Sequence, residues 1–212
     1  MKKFVVEFIG TLFLILTIGC VVMGSKDDPS MKWIAPLVIG SVLMVMIYAG
    51  GHISGGHFNP AVTLAVFLRK KCTAAEVPGY MLAQCAAAVV AATLVPYLKG
   101  NPEVTALQVD PMRALIAEFL FTFALCYVVL NVATAKGTQG NSFYGLAIGF
   151  TVFAGAASVG MISGAAFNPA VAIGTTMMGF LNASNIWIYL VAGFAASVAA
   201  AAVFKFVNPS DA

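Results

Sequence analysis

Charged residues are so sparse along this chain that the gaps between them measure its helices. No Asp, Glu, Lys or Arg interrupts the runs Phe8 to Ser25, Trp33 to Leu68, Val77 to Leu98 and Gly137 to Phe204. A helix of about 20 apolar residues crosses a bilayer. The first and third runs are then one span each, while the second, at 36 residues, holds one span and roughly half of another. A further span opens at Asp110-Pro111, an N-cap followed by a proline suited to the first turn, and runs to about Ala133 with one internal charge, Glu118. The last run is long enough for two full spans, roughly 143–160 and 185–205, with a short helix between them that ends near Gly179. Thr73-x-x-Glu76 has the form of a capping box, which predicts that the third span starts there.

The two part-spans carry nearly the same sequence. Gly51 to Val62 reads GHISGGHFNPAV and Gly160 to Val171 reads GMISGAAFNPAV, nine of twelve positions identical at an offset of 109. Each copy closes on Asn-Pro-Ala, where Asn caps a helix and Pro fills its first position because the N–H it lacks would have had no partner there. The expectation is two half helices, 59–70 and 168–180, each entered through a Gly/Ser-rich stretch of non-helical backbone. The repeat also extends outward: Glu7-Phe-Ile-Gly-Thr11 matches Glu118-Phe-Leu-Phe-Thr122 at an offset of 111. The chain therefore divides as one domain, 1–212, of two repeats, 1–100 and 110–208, each with three spans and one half helix. Three crossings are an odd number, so the second repeat enters the membrane upside down. The predicted fold is an all-α integral membrane protein: six transmembrane helices plus two re-entrant half helices in an inverted repeat.

Composition agrees, with 61% hydrophobic and 9% charged residues, against about a quarter charged in soluble domains. A net charge of +3, scattered along the chain, gives no reason to expect nucleic acid as a partner. Lys2-Lys3 and the apolar run after them lack a small-residue cleavage site and read as a retained first span. The basic residues orient the chain. With both termini cytoplasmic, Lys2, Lys3, Arg69, Lys70, Lys71, Lys136 and Lys205 lie inside, against Lys26, Lys32, Lys99 and Arg113 outside. Arg69 to Lys71 then close the first half helix at the cytoplasmic surface, and its N-terminus points to the bilayer centre. Cys20, Cys72, Cys85 and Cys126 read as free thiols. Trp33, Trp187, Tyr97 and Tyr189 fall near span ends, as interface anchors do. Gly51 with Gly55, Gly160 with Gly164, the series Ala83, Ala87, Ala91, and Ala195 with Ala199 predict close helix approach.

Inversion brings Asn59 and Asn168 together near the midplane, flanked by Pro60, Ala61, Pro169 and Ala170. Irregular backbone survives at that depth only if it is buried in protein or lines water. Glu7 and Glu118, charges inside spans, are expected to accept hydrogen bonds from those loops. His57, Gly55, Gly56 and Gly164 are expected to line a pore or its vestibule. The second copy has Met161 and Ala166 where the first has His52 and His57, so no metal set is implied, and no cofactor. No nucleophile, base and orienting group share a repeated position, which argues against an enzyme.

With its paired Asn-Pro-Ala motifs, GHISGGHFNPAV string, Glu7, Glu118 and the Ala83-Gln84 pair, the whole chain resembles the aquaporin family. The resemblance implies a right-handed six-helix bundle with a pore in each subunit, usually a homotetramer in the cell membrane, passing water and small neutral solutes but not ions. One position departs from the family: Val171 stands where an Arg is usual. Counted from the two Asn residues, the other filter positions fall on Ile39, about Ala156 and Ala165, all aliphatic or small. Ala172 replaces the Asp usual in glycerol facilitators. A Val in place of the Arg resembles some plant vacuolar members and implies passage of urea, ammonia or hydrogen peroxide along with water. The alternative is a coupled small-solute transporter that uses the inverted repeat for alternating access.

Overall fold

The computed structural model describes residues 1–24, 28 and 30–211. The expectations resting on Ser25, Lys26, Asp27 and the side chain of Lys32 lie outside the described residues. Among the described residues eight α-helices follow in order: α1 Lys2–Gly24, α2 Met31–Ser54, α3 Pro60–Leu68, α4 Val77–Leu98, α5 Pro111–Thr134, α6 Tyr144–Ser163, α7 Pro169–Met177 and α8 Ile186–Val207. Six contain a stretch long and apolar enough to cross a membrane. The other two, α3 and α7, are nine residues each.

Packing repeats with the sequence. Helix α1 lies against α2 and α4, and α5 lies in the same way against α6 and α8. Each half helix crosses to the opposite repeat, α3 onto α8 and α7 onto α4, and α2 meets α6 between the halves. In lipid no hydrophobic force draws helices together, so close van der Waals approach must do it. The α2–α6 crossing is built that way: a Cβ on Gly149 would sit 2.5 Å from the Gly40 carbonyl oxygen, and one on Gly40 2.6 Å from that of Gly149.

The structure corrects several sequence expectations. The Gly/Ser-rich stretches are mostly helical, because α2 runs through Gly51–Ser54 and α6 through Ser163. Only about four residues before each Asn leave the helix, where Gly55 (φ 91°) and Gly164 (φ 88°) turn left-handed and end α2 and α6. His52 is thereby on α2. The half helices are shorter than 59–70 and 168–180. The close approaches are not at Gly51 and Gly160 but at Gly40 and Gly149, and α8 buries Ala192, Gly193, Ala196 and Ala200 rather than Ala195 and Ala199. Tyr189 is buried instead of anchoring at the interface, while Trp33, Tyr97 and Trp187 are exposed.

The third span begins at Val77, one turn later than the capping box implied. Pro78 has no N–H for the Ala74 carbonyl, so a turn precedes the helix there. The Glu76 carboxylate still accepts from the Thr73 N–H at 3.1 Å, and also from its hydroxyl and from Lys3. Those donors, Lys3 first, hold the Glu76 carboxyl down at about 2.

Beyond α8 the chain turns back over the end of α3. The Arg69 guanidinium meets the Asp211 carboxylate at 2.7 Å and stacks 4.7 Å over the Phe204 ring, and Asp211 also accepts the Lys136 backbone N–H at 2.7 Å. That N–H, with Arg69 beside it, holds the Asp211 carboxyl below its ordinary range. It therefore stays ionised at neutral pH, and the clamp is lost only as pH falls through the lowered value.

Gly149→Ala should lower stability by about 1–3 kcal/mol, the usual cost of overpacking. Gly137→Ala, whose Cβ meets nothing within 4 Å, is the matched control. Thermal unfolding in detergent checks this, and equal midpoints for the two variants would contradict the crossing described.

Candidate functional site

Each half helix starts on an asparagine whose side chain faces two ways. Asn59 Oδ1 accepts the Ala61 N–H at 2.8 Å, and Asn168 Oδ1 accepts the Ala170 N–H at 2.9 Å, capping α3 and α7. The amide nitrogens reach across the repeat. Asn59 Nδ2 donates to the Phe167 carbonyl at 2.8 Å, and Asn168 Nδ2 donates to the Phe58 carbonyl at 2.8 Å. A carboxamide carries two N–H donors. One on each Asn is committed to the crossed bond, and the second is free for whatever occupies the cavity that both side chains line.

The loops before the caps cannot pair with themselves. Phe58 (φ 47°), Ala165 (φ 51°) and Phe167 (φ 48°) are non-glycine residues in the left-handed region, a strained state held by its surroundings. A buried carboxylate holds each loop. Glu7 accepts from the N–H groups of His57 (2.9 Å) and Phe58 (2.7 Å) and from the Ser54 hydroxyl (2.7 Å). Glu118 does the same for Ala166 (3.1 Å), Phe167 (2.7 Å) and the Ser163 hydroxyl (2.6 Å). Tyr80 and Tyr189 each donate to the carbonyl of the corresponding serine at 2.6 Å. These tyrosines stand 109 residues apart, as the loops do, so the offset that revealed the motif could also have found them.

The repeats differ on one side of Glu7. There Gln84 donates to Glu7 at 2.8 Å and to the Thr63 hydroxyl at 3.0 Å, and Thr63 lies 3.2 Å from His57 Nδ1. At the same offset the second repeat has Gly193, Ala172 and Ala166 in place of Gln84, Thr63 and His57.

Between the loops lies a narrow cavity of about 30 Å³, room for roughly two waters at 10–15 Å³ each. Toward the end that holds Lys3 and Lys71 a vestibule of about 250 Å³ opens, and His57 lines both spaces. Of the residues expected from sequence, Asn59, Asn168, His57, Gly56, Ile39, Ala165 and Val171 form the cavity wall. Gly55 lines the vestibule instead. Ala156 is not in the wall; it lies one helical turn beyond Val152 on α6. Gly164 faces Leu181, and Pro60, Ala61, Pro169 and Ala170 are buried behind the lumen, Pro169 and Ala61 against Gly193 of α8.

Most wall residues that sequence reasoning missed have a matched partner in the wall: Leu14 with Leu125, Ile18 with Val129, Leu43 with Val152, Ile148 with the expected Ile39, and Val62 with the expected Val171, while Ile47 and Phe58 have none there. The pairs recur at offsets of 109 or 111, the same signal as the motif. Inside uniformly apolar spans that signal does not say which face is inward.

Comparison with known proteins adds a family and a fold. The sequence model of the family described as Major intrinsic protein matches residues 1–204. The chain is similar to Nodulin-26 of Glycine max, 35% identical over 218 residues, covering 100% of this chain and 79% of that protein. It is also similar to Aquaporin NIP1-1 of Oryza sativa subsp. japonica, 36% identical over 214 residues, with 98% and 74% covered. Among solved structures, the aquaglyceroporin from Plasmodium falciparum shares the fold, with a TM-score of 0.84, 21% identity, and 99% of this chain and 98% of that one covered.

Replacing Glu7 or Glu118 by Ala would leave loop donors buried and unpaired, at about 1–3 kcal/mol each. Both variants should yield markedly less folded protein than the exposed lipid-side change Leu146→Ala. Size-exclusion chromatography in detergent reads the difference, and equal recovery would contradict the loop-holding role.

Proposed function

The chain belongs to the major intrinsic protein family, the aquaporin-like channels, and from that premise we propose that it is a passive pore for water and small uncharged solutes that excludes protons and other ions. The observation that carries this reading is the pair of half-helix N-termini held face to face at a cavity of water size, each with a spare Asn N–H. A helix N-terminus carries about half a positive charge, so two of them oppose any cation at the same point. A water that takes both Asn donors through its oxygen cannot pass a proton along an unbroken file.

Selectivity should be broader than for water alone. Val171, Ile39 and Ala165 put no charge and no side-chain donor in the cavity wall, so urea, ammonia and hydrogen peroxide are the further solutes proposed. The membrane proposed is the cell membrane. Lys3, Arg69, Lys71 and Lys136 gather at the end with the chain termini, which supports a cytoplasmic assignment for that end. A homotetramer is the assembly proposed from the family.

Osmotic light scattering on proteoliposomes tests the reading. Fast shrinkage under sucrose followed by re-swelling under urea is expected, and vesicles no faster than empty ones would overturn it. Val171→Arg should slow urea relative to water; an unchanged ratio would remove Val171 from the selectivity assignment.

A further inference from the structure

The repeat relates the two ends of the lumen position by position. Helices α2 and α6 run antiparallel past each other: a Cβ on Gly145 would meet the Tyr48 ring, and one on Gly40 would meet the Cβ of Phe153. Ile47 and Ile148 therefore fall at one level of the lumen, and Ile39 and Ala156 at another. The first level adjoins the vestibule, because Gly51 and Val66, one helical turn past Ile47 on α2 and past Val62 on α3, line that space. At the offset of 109, Ile47 corresponds to Ala156, Ile39 to Ile148, Gly56 to Ala165 and Val62 to Val171. Three of these pairs are identical or differ by one methyl group. Ile47 exceeds Ala156 by three carbons, and it is the vestibule end that carries the larger side chain.

Exposure divides the same way. At the vestibule level Ile47, Ile148, Gly56 and Val62 are all buried, Ile47 to 1%. At the far level Ile39, Ala156 and Ala165 are half-buried, and only Val171 is closed off. Ile47 belongs to the cavity wall while Ala156 does not, so the lumen is tighter where Ile47 stands. The side chain is also held there. A β-branched residue in a helix keeps one strongly preferred rotamer. The loop presses on α2 at the same place, where a Cβ on Gly56 would sit 3.5 Å from the Ile47 Cα. We propose that Ile47 is a specificity-determining residue of this pore: solute size is limited at the vestibule end, where Ile47 closes the wall, and not at the far end that carries Val171. The proposal rests on the channel reading above, and it gives an aliphatic lumen without a far-end cation a place to discriminate by size.

The test reads glycerol permeability against water in proteoliposomes of the wild type, Ile47→Ala and Ile39→Ala. The two variants remove the same three carbons from the same helix, at opposite ends of the lumen. Ile47→Ala, which brings the vestibule level to the composition of the far one, should raise the glycerol-to-water ratio about tenfold or more, the scale on which a steric pocket discriminates one carbon unit. Ile39→Ala should leave the ratio close to wild type. If Ile47→Ala does not fold, the milder pair Ile47→Val and Ile39→Val takes its place, and the same order is expected on a smaller scale. An unchanged ratio in the Ile47 variant that folds, or a larger rise in its Ile39 counterpart, would overturn the proposal while the channel reading stands. A wild type inert to water would overturn the channel reading instead.

Discussion

Two hydrogen bonds hold the rest of this structure in place: Asn59 to the Phe167 carbonyl and Asn168 to the Phe58 carbonyl. Each ties the cap of one half helix to the loop that leads into the other. Neither repeat can therefore complete its own pore-forming segment alone. The same two side chains cap α3 and α7, join the two repeats and line the cavity. A substitution at either Asn would disturb all three together.

The surrounding structure follows from keeping irregular backbone inside a membrane. Lipid offers no partner to an unpaired N–H, so the residues before each cap need acceptors from within the protein. Glu7 and Glu118 supply them, and the serine at the end of α2 or α6 bridges from helix to loop. Strained left-handed residues are tolerated because the carboxylate, the crossed Asn and the tyrosine behind them fix the loop from separate sides. The lumen wall is then mostly aliphatic, with the two asparagines and His57 as its polar side chains among the described residues.

Most of the fold was legible because charge is rare here and the chain repeats itself. Uncharged run lengths counted the spans, the 109-residue offset paired the halves, and the odd crossing number inverted them. Boundaries set by backbone detail were less legible. The α2 helix runs on to Ser54 because helical hydrogen bonds tolerate glycine in lipid where a loop would cost more, and α4 waits for Val77 because Pro78 withholds an N–H. At the site, the polar residues announced themselves as charges or amides out of place. The apolar wall, Leu43 or Val152 for instance, did not, since lipid, neighbouring helices and the lumen all accept the same side chains. Tyr189 was misread for a related reason: an aromatic near a span end suits an interface, and only the fold shows its hydroxyl turned inward to Ser163.

The proposed pore is a continuous passive path for water between the two half helices. The temperature dependence of osmotic shrinkage in proteoliposomes tests it most directly. Water moving through a pore should show the weak dependence of water diffusing in bulk, unaffected when ion gradients are collapsed. A steep dependence equal to that of empty vesicles, or flow that stops with the gradients, would contradict it.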